Sequence, residues 1–147
     1  MYKKILVATD GSESAKHAVE HAAISADKWD AKLHVLTVAP PPQTIFTDVG
    51  GFSADYNVDY EKVIMSHHLS VLEKAKKTLK EKYPKLCVST QIKKGYAATK
   101  ILEASEEAEV DLLVIGSRGL GGLASLFLGS VTKHVVNHCK KPILVVK

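Results

Sequence analysis

Three short aliphatic runs, Ile5–Ala8, Leu112–Ile115 and Ile143–Val146, carry no charged and no hydrogen-bonding side chain. A run this short, with no polar face, reads as a strand covered on both sides. Such strands belong in a parallel sheet sandwiched between helices, because an antiparallel sheet commonly leaves one face to water. Two further segments, Leu33–Val38 and Val88–Lys93, read as more polar strands, the second with Ser89, Gln91 and Lys93 on one face.

Helical periodicity fills the intervals. Ala15, Ala18, Val19, Ala22 and Ala23 form one apolar stripe, opened by Ser12 as an N-cap. Met65, Leu69, Leu72, Ala75 and Leu79 form a second, closed before Pro84. Ala98, Ile101, Leu102 and Ser105 make a third, and Val131, Val135 and Cys139 a fourth. The sum is five alternating strands and helices over residues 1–147, one α/β domain with a single doubly wound, open, parallel five-stranded sheet. Apolar strands belong at the centre and the polar third strand at an edge, which yields the strand order 3-2-1-4-5. The chain then reverses between strands 1 and 4, and ligands of such sheets bind at the carboxyl ends flanking that reversal.

Those ends are Thr9-Asp10-Gly11 and Gly116-Ser117-Arg118-Gly119. After nine intervening residues, Gly129-Ser130 opens the fourth helix. A strand, a glycine-punctuated loop and a helix N-terminus form an anion cradle. Glycine at positive φ can turn backbone N–H groups toward a phosphate, and the helix end adds about half a positive charge. Ser130 reads as a phosphate ligand, as the N-cap of that helix, or as both. Asp10 reads as a ribose ligand, a Mg²⁺ ligand, or only a cap for the first helix.

Net charge is +4, too mild to argue for a nucleic-acid partner. It is unevenly placed: no Asp or Glu follows Asp111, whereas Arg118, Lys133, Lys140, Lys141 and Lys147 do. Cys87 and Cys139 have neither metal nor redox spacing, and no apolar run approaches the ~20 residues of a membrane helix. The expectation is a cytoplasmic protein without a membrane partner.

Other chemistry finds little support. No Gly-Lys-Ser/Thr step exists, so the loop is not a Walker A motif. Gly119-Leu-Gly121-Gly-Leu-Ala124 fits a dinucleotide fingerprint, but the acidic residue expected ~20 positions later is missing. Among the histidines, His17/His21 and His134/His138 are i, i+4 pairs without a third ligand, and His67-His68 reads as surface. There is no Gly-x-Ser-x-Gly elbow, and neither cysteine has an evident activating partner. The stretch Pro40–Tyr60, with three prolines and Gly50-Gly51, reads as a long irregular connection, a lid or a floppy insert. Strand 5 is an apolar edge, and such edges are normally covered. Pairing of Ile143, Leu144, Val145 and Val146 with a second copy would make a homodimer.

The whole chain resembles the universal stress proteins of the ATP-binding type. The resemblance rests on Lys4-Ile-Leu-Val-Ala-Thr-Asp-Gly-Ser12, Asp111-Leu-Leu-Val-Ile-Gly-Ser-Arg-Gly119, Leu128-Gly-Ser-Val-Thr132 and Lys141-Pro-Ile-Leu-Val-Val146. The family's Gly-x2-Gly-x9-Gly-(Ser/Thr) motif is complete at Gly116, Gly119, Gly129 and Ser130. The resemblance implies a Rossmann-like, adenine nucleotide alpha hydrolase-like fold and dimerisation through strand 5. It implies adenine held by Ala8, Thr9, Asp10 and Val38. Phosphates would lie over Gly116, Ser117, Arg118 and Gly119 and over the turn Gly129, Ser130, Val131 and Thr132. The cofactor implied is ATP with Mg or Mn, and Asp10 is the candidate metal ligand.

The functional expectation is an ATP-binding, stress-linked cytosolic homodimer that signals through nucleotide occupancy to a downstream protein partner. The alternatives are a slow metal-dependent ATP hydrolase or phosphotransferase, and a dimeric scaffold that binds no nucleotide. Fast phosphoryl transfer needs several cations at the γ-phosphate, and only Arg118 is near in sequence.

Overall fold

The computed structural model describes residues 1–41, 54–119 and 128–147, with side chains at 54–58 excepted. The elements follow one another as β1 (Lys4–Ala8), α1 (Glu13–Trp29), β2 (Lys32–Ala39), α2 (Ala54–Lys82), β3 (Val88–Lys94), α3 (Ala97–Glu107), β4 (Leu112–Gly116), α4 (Ser130–His138) and β5 (Ile143–Val146). The five strands form one parallel sheet in the order β3-β2-β1-β4-β5. This is the order expected from strand polarity.

Side chains alternate across the pleat, so one strand feeds two cores. Ile5 and Val7 point into a layer with Ala18, Ala22 and Ala26 of α1 and Leu72 and Leu79 of α2. Leu6 and Ala8 point the other way, against Ile101 and Ala104 of α3 and Val135 of α4. Register pairs Val7 with Val35 of β2 and Val114 of β4, a row of β-branched residues across the sheet centre. Ile5, Leu6 and Val7 are wholly buried, each worth about 1.5–3 kcal/mol in apolar transfer.

The helix ends have local causes. Ser12 caps α1, its hydroxyl accepting from the Ala15 N–H at 3.3 Å. The helix stops at Asp30, whose left-handed φ of 52° lets its N–H return to the Ala26 and Asp27 carbonyls. Near the end of α2, Lys82 Nζ and Tyr83 Oη each donate to Glu20 of α1 at 3.0 Å. Pro84 follows and disfavours helical geometry at the residue before it.

Two sequence expectations require correction. The stretch Pro40–Tyr60 is not irregular throughout, because α2 begins at Ala54; residues 42–53 lie outside the described part. The α2 stripe also shifts. Leu69 is exposed, and His68, expected at the surface, is buried at 7% exposure. The inward positions are Met65, His68, Leu72, Ala75 and Leu79, spaced 3, 4, 3 and 4 residues apart. A polar residue was read out of a stripe in which it satisfies itself: His68 Nδ1 shares a 3.0 Å hydrogen bond with Thr37 Oγ1 of β2.

Candidate functional site

The carboxyl ends of β1 and β4 diverge at the reversal of strand order, and a cavity of about 410 Å³ opens there. One end is apolar, made by Leu36 and Val38 of β2, Ala97 and Ile101 of α3, Ile115 of β4 and Val131 of α4. The other end is polar and glycine-lined, with Asp10, Arg118, Gly119, Gly129, Ser130 and Thr132 around it. Ala8, Thr9, Ala15 and Gly116 complete the wall between them.

The chain is tightly pinned around this opening. Past β1, the Thr9 N–H donates to the Leu36 carbonyl at 2.8 Å. Asp10 Oδ1 accepts from the Ser12 N–H at 2.9 Å, an Asx turn that needs the intervening Gly11 at φ 83°. Past β4, the Ser117 N–H donates to Val146 of β5 at 2.6 Å, and its carbonyl accepts from the Gly129 N–H at 2.8 Å. Ser14 Oγ donates to the Val146 carbonyl at 3.3 Å and accepts from the Arg118 N–H at 3.4 Å. Thr132 Oγ1 donates to the Gly116 carbonyl at 2.7 Å. The two halves of the glycine motif are thus tied to each other and to the first turn of α1.

The motif glycines serve a purpose different from the one expected. None of Gly116, Gly119 and Gly129 has φ in the left-handed region. Their value is the missing Cβ. A Cβ on Gly116 would lie 2.5 Å from Ser14 Oγ and 2.9 Å from the Ser14 carbonyl carbon, so β4 meets the start of α1 with no room to spare. A Cβ on Gly119 would lie 2.8 Å from Asp10 Oδ2, so glycine there keeps the space beside the carboxylate open. Gly129, with φ −59° and ψ 157°, is itself the N-cap of α4. Ser130 is therefore the first residue of the helix and not its cap. Its N–H, like those of Val131 and Thr132, is a first-turn donor with no partner among the described residues.

Eleven of the twelve expected binding residues line this one cavity: Ala8, Thr9, Asp10, Val38, Gly116, Arg118, Gly119, Gly129, Ser130, Val131 and Thr132. Ser117 does not. It is buried, and its backbone is occupied by Val146 and Gly129. At the apolar end the sequence reading found Val38 and Val131 but missed Leu36, Ala97, Ile101 and Ile115. Ile101 carried the signal, as an inward residue in the first turns of α3 on the face shared with α4. Gly119-Leu-Gly121-Gly-Leu-Ala124 lies largely outside the described residues. So does nearly all of the connection after Pro40.

The electrostatics of the site are simple. Arg118 is the one cation and Asp10 the one carboxylate on the lining among the described residues. On the opposite face of the sheet, burial and the neighbouring His67 hold His68 below its ordinary range, with Asp10 acting weakly the other way. No three His, Cys, Asp or Glu side chains converge as a metal centre among the described residues. Both cysteines are free. No described helix is long and apolar enough to cross a membrane.

Similarity to known proteins agrees with this architecture. Universal stress protein UspA from Lactobacillus plantarum superposes with a TM-score of 0.80, covering 99% of this chain and 98% of that one. At 23% identity that likeness speaks to fold alone. A crystal structure of a universal stress protein in complex with cAMP has a TM-score of 0.69 and 27% identity, covering 99% of this chain and 97% of that one. Universal stress protein MJ0531 of Methanocaldococcus jannaschii is 31% identical over 148 residues, 100% of this chain and 83% of the relative. The model of the universal stress protein family matches residues 1–147, and the chain belongs to that family.

Proposed function

We propose that the cavity binds an adenine nucleotide, ATP foremost, and that occupancy rather than turnover is the output. The observation that carries the proposal is the cavity's division into an apolar end and a glycine-lined end closed by the first turn of α4. A base fits between Val38, Ala97, Ile101 and Val131. Phosphates suit the first-turn N–H groups at Ser130–Thr132 and the Arg118 guanidinium. A volume of about 410 Å³ lies in the range of small-molecule sites. The related universal stress protein in complex with cAMP supports the same ligand class.

Asp10 fits a Mg or Mn ion carried in with the nucleotide. Such ions are usually held by one or two protein carboxylates, with phosphates and water completing the shell. The donor set argues against rapid hydrolysis. Arg118 is the one lining cation among the described residues, and residues 42–53 and 120–127 contain no Lys or Arg. Phosphoryl transfer at enzymatic rates draws on a lysine, metal ions and often an arginine finger together.

The same reading makes the protein a cytoplasmic homodimer joined along β5 and read by a downstream protein. Leu144 is 37% exposed on that edge. The test is mass spectrometry of what the purified protein releases on denaturation, followed by a phosphate-release assay with Mg and with Mn. An adenine nucleotide, with turnover below ~1 s⁻¹, is expected. A released ligand of another class, or faster turnover, would overturn the proposal.

A further inference from the structure

The first turn of α4 breaks a rule that α1 obeys. A helix N-terminus carries about half a positive charge, so acidic residues are favoured there and cations are not. α1 opens accordingly with Glu13. The first turn of α4 holds no acidic residue, and Lys133 closes it, its N–H donating to the Gly129 carbonyl at 2.9 Å. No Asp or Glu occurs anywhere in α4. Lys133 is exposed and makes no ion pair among the described residues. Lys16, Lys82 and Lys100, by contrast, each reach a glutamate. The helix therefore carries an unfavourable charge at its N-terminal end with nothing local to offset it.

That charge stands over the polar end of the cavity. Lys133 follows Ser130 by three residues, and residues so spaced are neighbours on a helix surface. Helical side chains lean toward the N-terminus and cover the preceding turn. Three residues are about 4.5 Å of helix axis, within the span of a lysine's four-carbon stem. The ammonium can therefore reach Ser130, which lines the cavity beside Gly129 and Thr132. Lys133 is not itself on the lining and acts from the solvent rim. The polar end is closed below by Gly116 and the buried Thr132, which are hydrogen-bonded to each other. Phosphates added to a first one extend toward the rim.

We infer that Lys133 is a second cation for the nucleotide's phosphates and that it favours a triphosphate over a monophosphate. The inference rests on the adenine-nucleotide reading of the cavity and adds the group that discriminates by phosphate number. A charge that opposes the helix dipole becomes favourable once phosphate anions occupy the same end. A flexible ammonium at the rim adds affinity and does not replace the preorganised lysine of phosphoryl-transfer sites.

The test titrates the parent, Lys133→Gln, Lys133→Glu and Lys133→Arg by calorimetry with ATP, AMP and adenosine in the presence of Mg. Lys133→Gln should weaken ATP binding by about fivefold, AMP binding less, and adenosine binding not at all. Lys133→Glu should weaken ATP binding further, and Lys133→Arg should bind as the parent does. The ATP loss should shrink at ~1 M salt, where exposed charges are screened. Without nucleotide, Lys133→Gln should melt about 1–4 °C above the parent, because a cation has left the helix N-terminus. That rise also shows that the variant folds. ATP binding unchanged in both Lys133→Gln and Lys133→Glu, or an equal loss for adenosine, would overturn this inference alone. A parent that binds no adenine compound would overturn the nucleotide reading and the inference with it.

Discussion

Thr132 Oγ1 donates a 2.7 Å hydrogen bond to the carbonyl of Gly116, joining the last residue of β4 to the first turn of α4 across the base of the cavity. Thr132 is 3% exposed, so water cannot replace the donor. Thr132→Val keeps the shape and leaves a buried acceptor unpaired. It should lower unfolding free energy by about 1–3 kcal/mol, read as an earlier denaturant midpoint at unchanged slope. ATP affinity should fall with it, because the helix end loses its tie to the strand.

The glycines separate stability from binding. Gly116→Ala forces a Cβ against the Ser14 backbone as well as its hydroxyl, and the clash should cost about 1–3 kcal/mol. Ser14→Ala should rescue it only in part, since the backbone contact remains. Among the described residues, Gly119→Ala meets one atom, Asp10 Oδ2. It should leave the melting temperature within a few degrees of the parent while weakening Mg–ATP binding. Equal melting losses in the two variants would contradict this division.

The fold was largely legible because its strands carry the information twice. Leu6 and Val7 face opposite cores, so a run with no polar residue already demanded two helical layers. The polar β3 had to be an edge for the same reason. The site was legible where chemistry leaves a residue signature, in Asp10, Arg118 and the glycines. It was illegible where lining depends on tertiary placement, as with Ala97 and Leu36. The cause of the glycines was also hidden, because a missing Cβ and a positive φ select the same residue. His68 escaped because a buried hydrogen bond to Thr37 leaves no local pattern in α2.

His68 should make stability depend on pH. Burial, with His67 beside it, lowers its folded-state value from the ordinary 6.5. The unfolded chain therefore binds the proton first as pH falls. Unfolding free energy is unaffected by this group well above 6.5 and declines as pH drops below it, until the folded-state value is passed. Denaturant unfolding at about pH 7.5 and about pH 5 should show a smaller decline in His68→Leu than in the parent. An identical decline would place the dependence elsewhere.

A charge on the outer edge should break the proposed dimer. Leu144 is exposed on β5, which has a neighbour on one side only, β4, among the described residues. Lysine on an edge strand opposes pairing between sheets. Leu144→Lys should therefore elute as a monomer by light scattering while the parent elutes as a dimer. A monomeric parent at micromolar concentration would remove the dimer from the account.

The central claim is that the cavity at the β1–β4 reversal is an adenine-nucleotide site. Calorimetric titration of the purified chain with ATP and Mg, beside the same titration of Gly119→Val, tests it most directly. The account predicts one ATP per chain for the parent and loss of the heat in the variant, whose side chain would occupy the space beside Asp10. No heat from ATP, AMP or cAMP up to millimolar concentration, or equal binding by Gly119→Val, would contradict it.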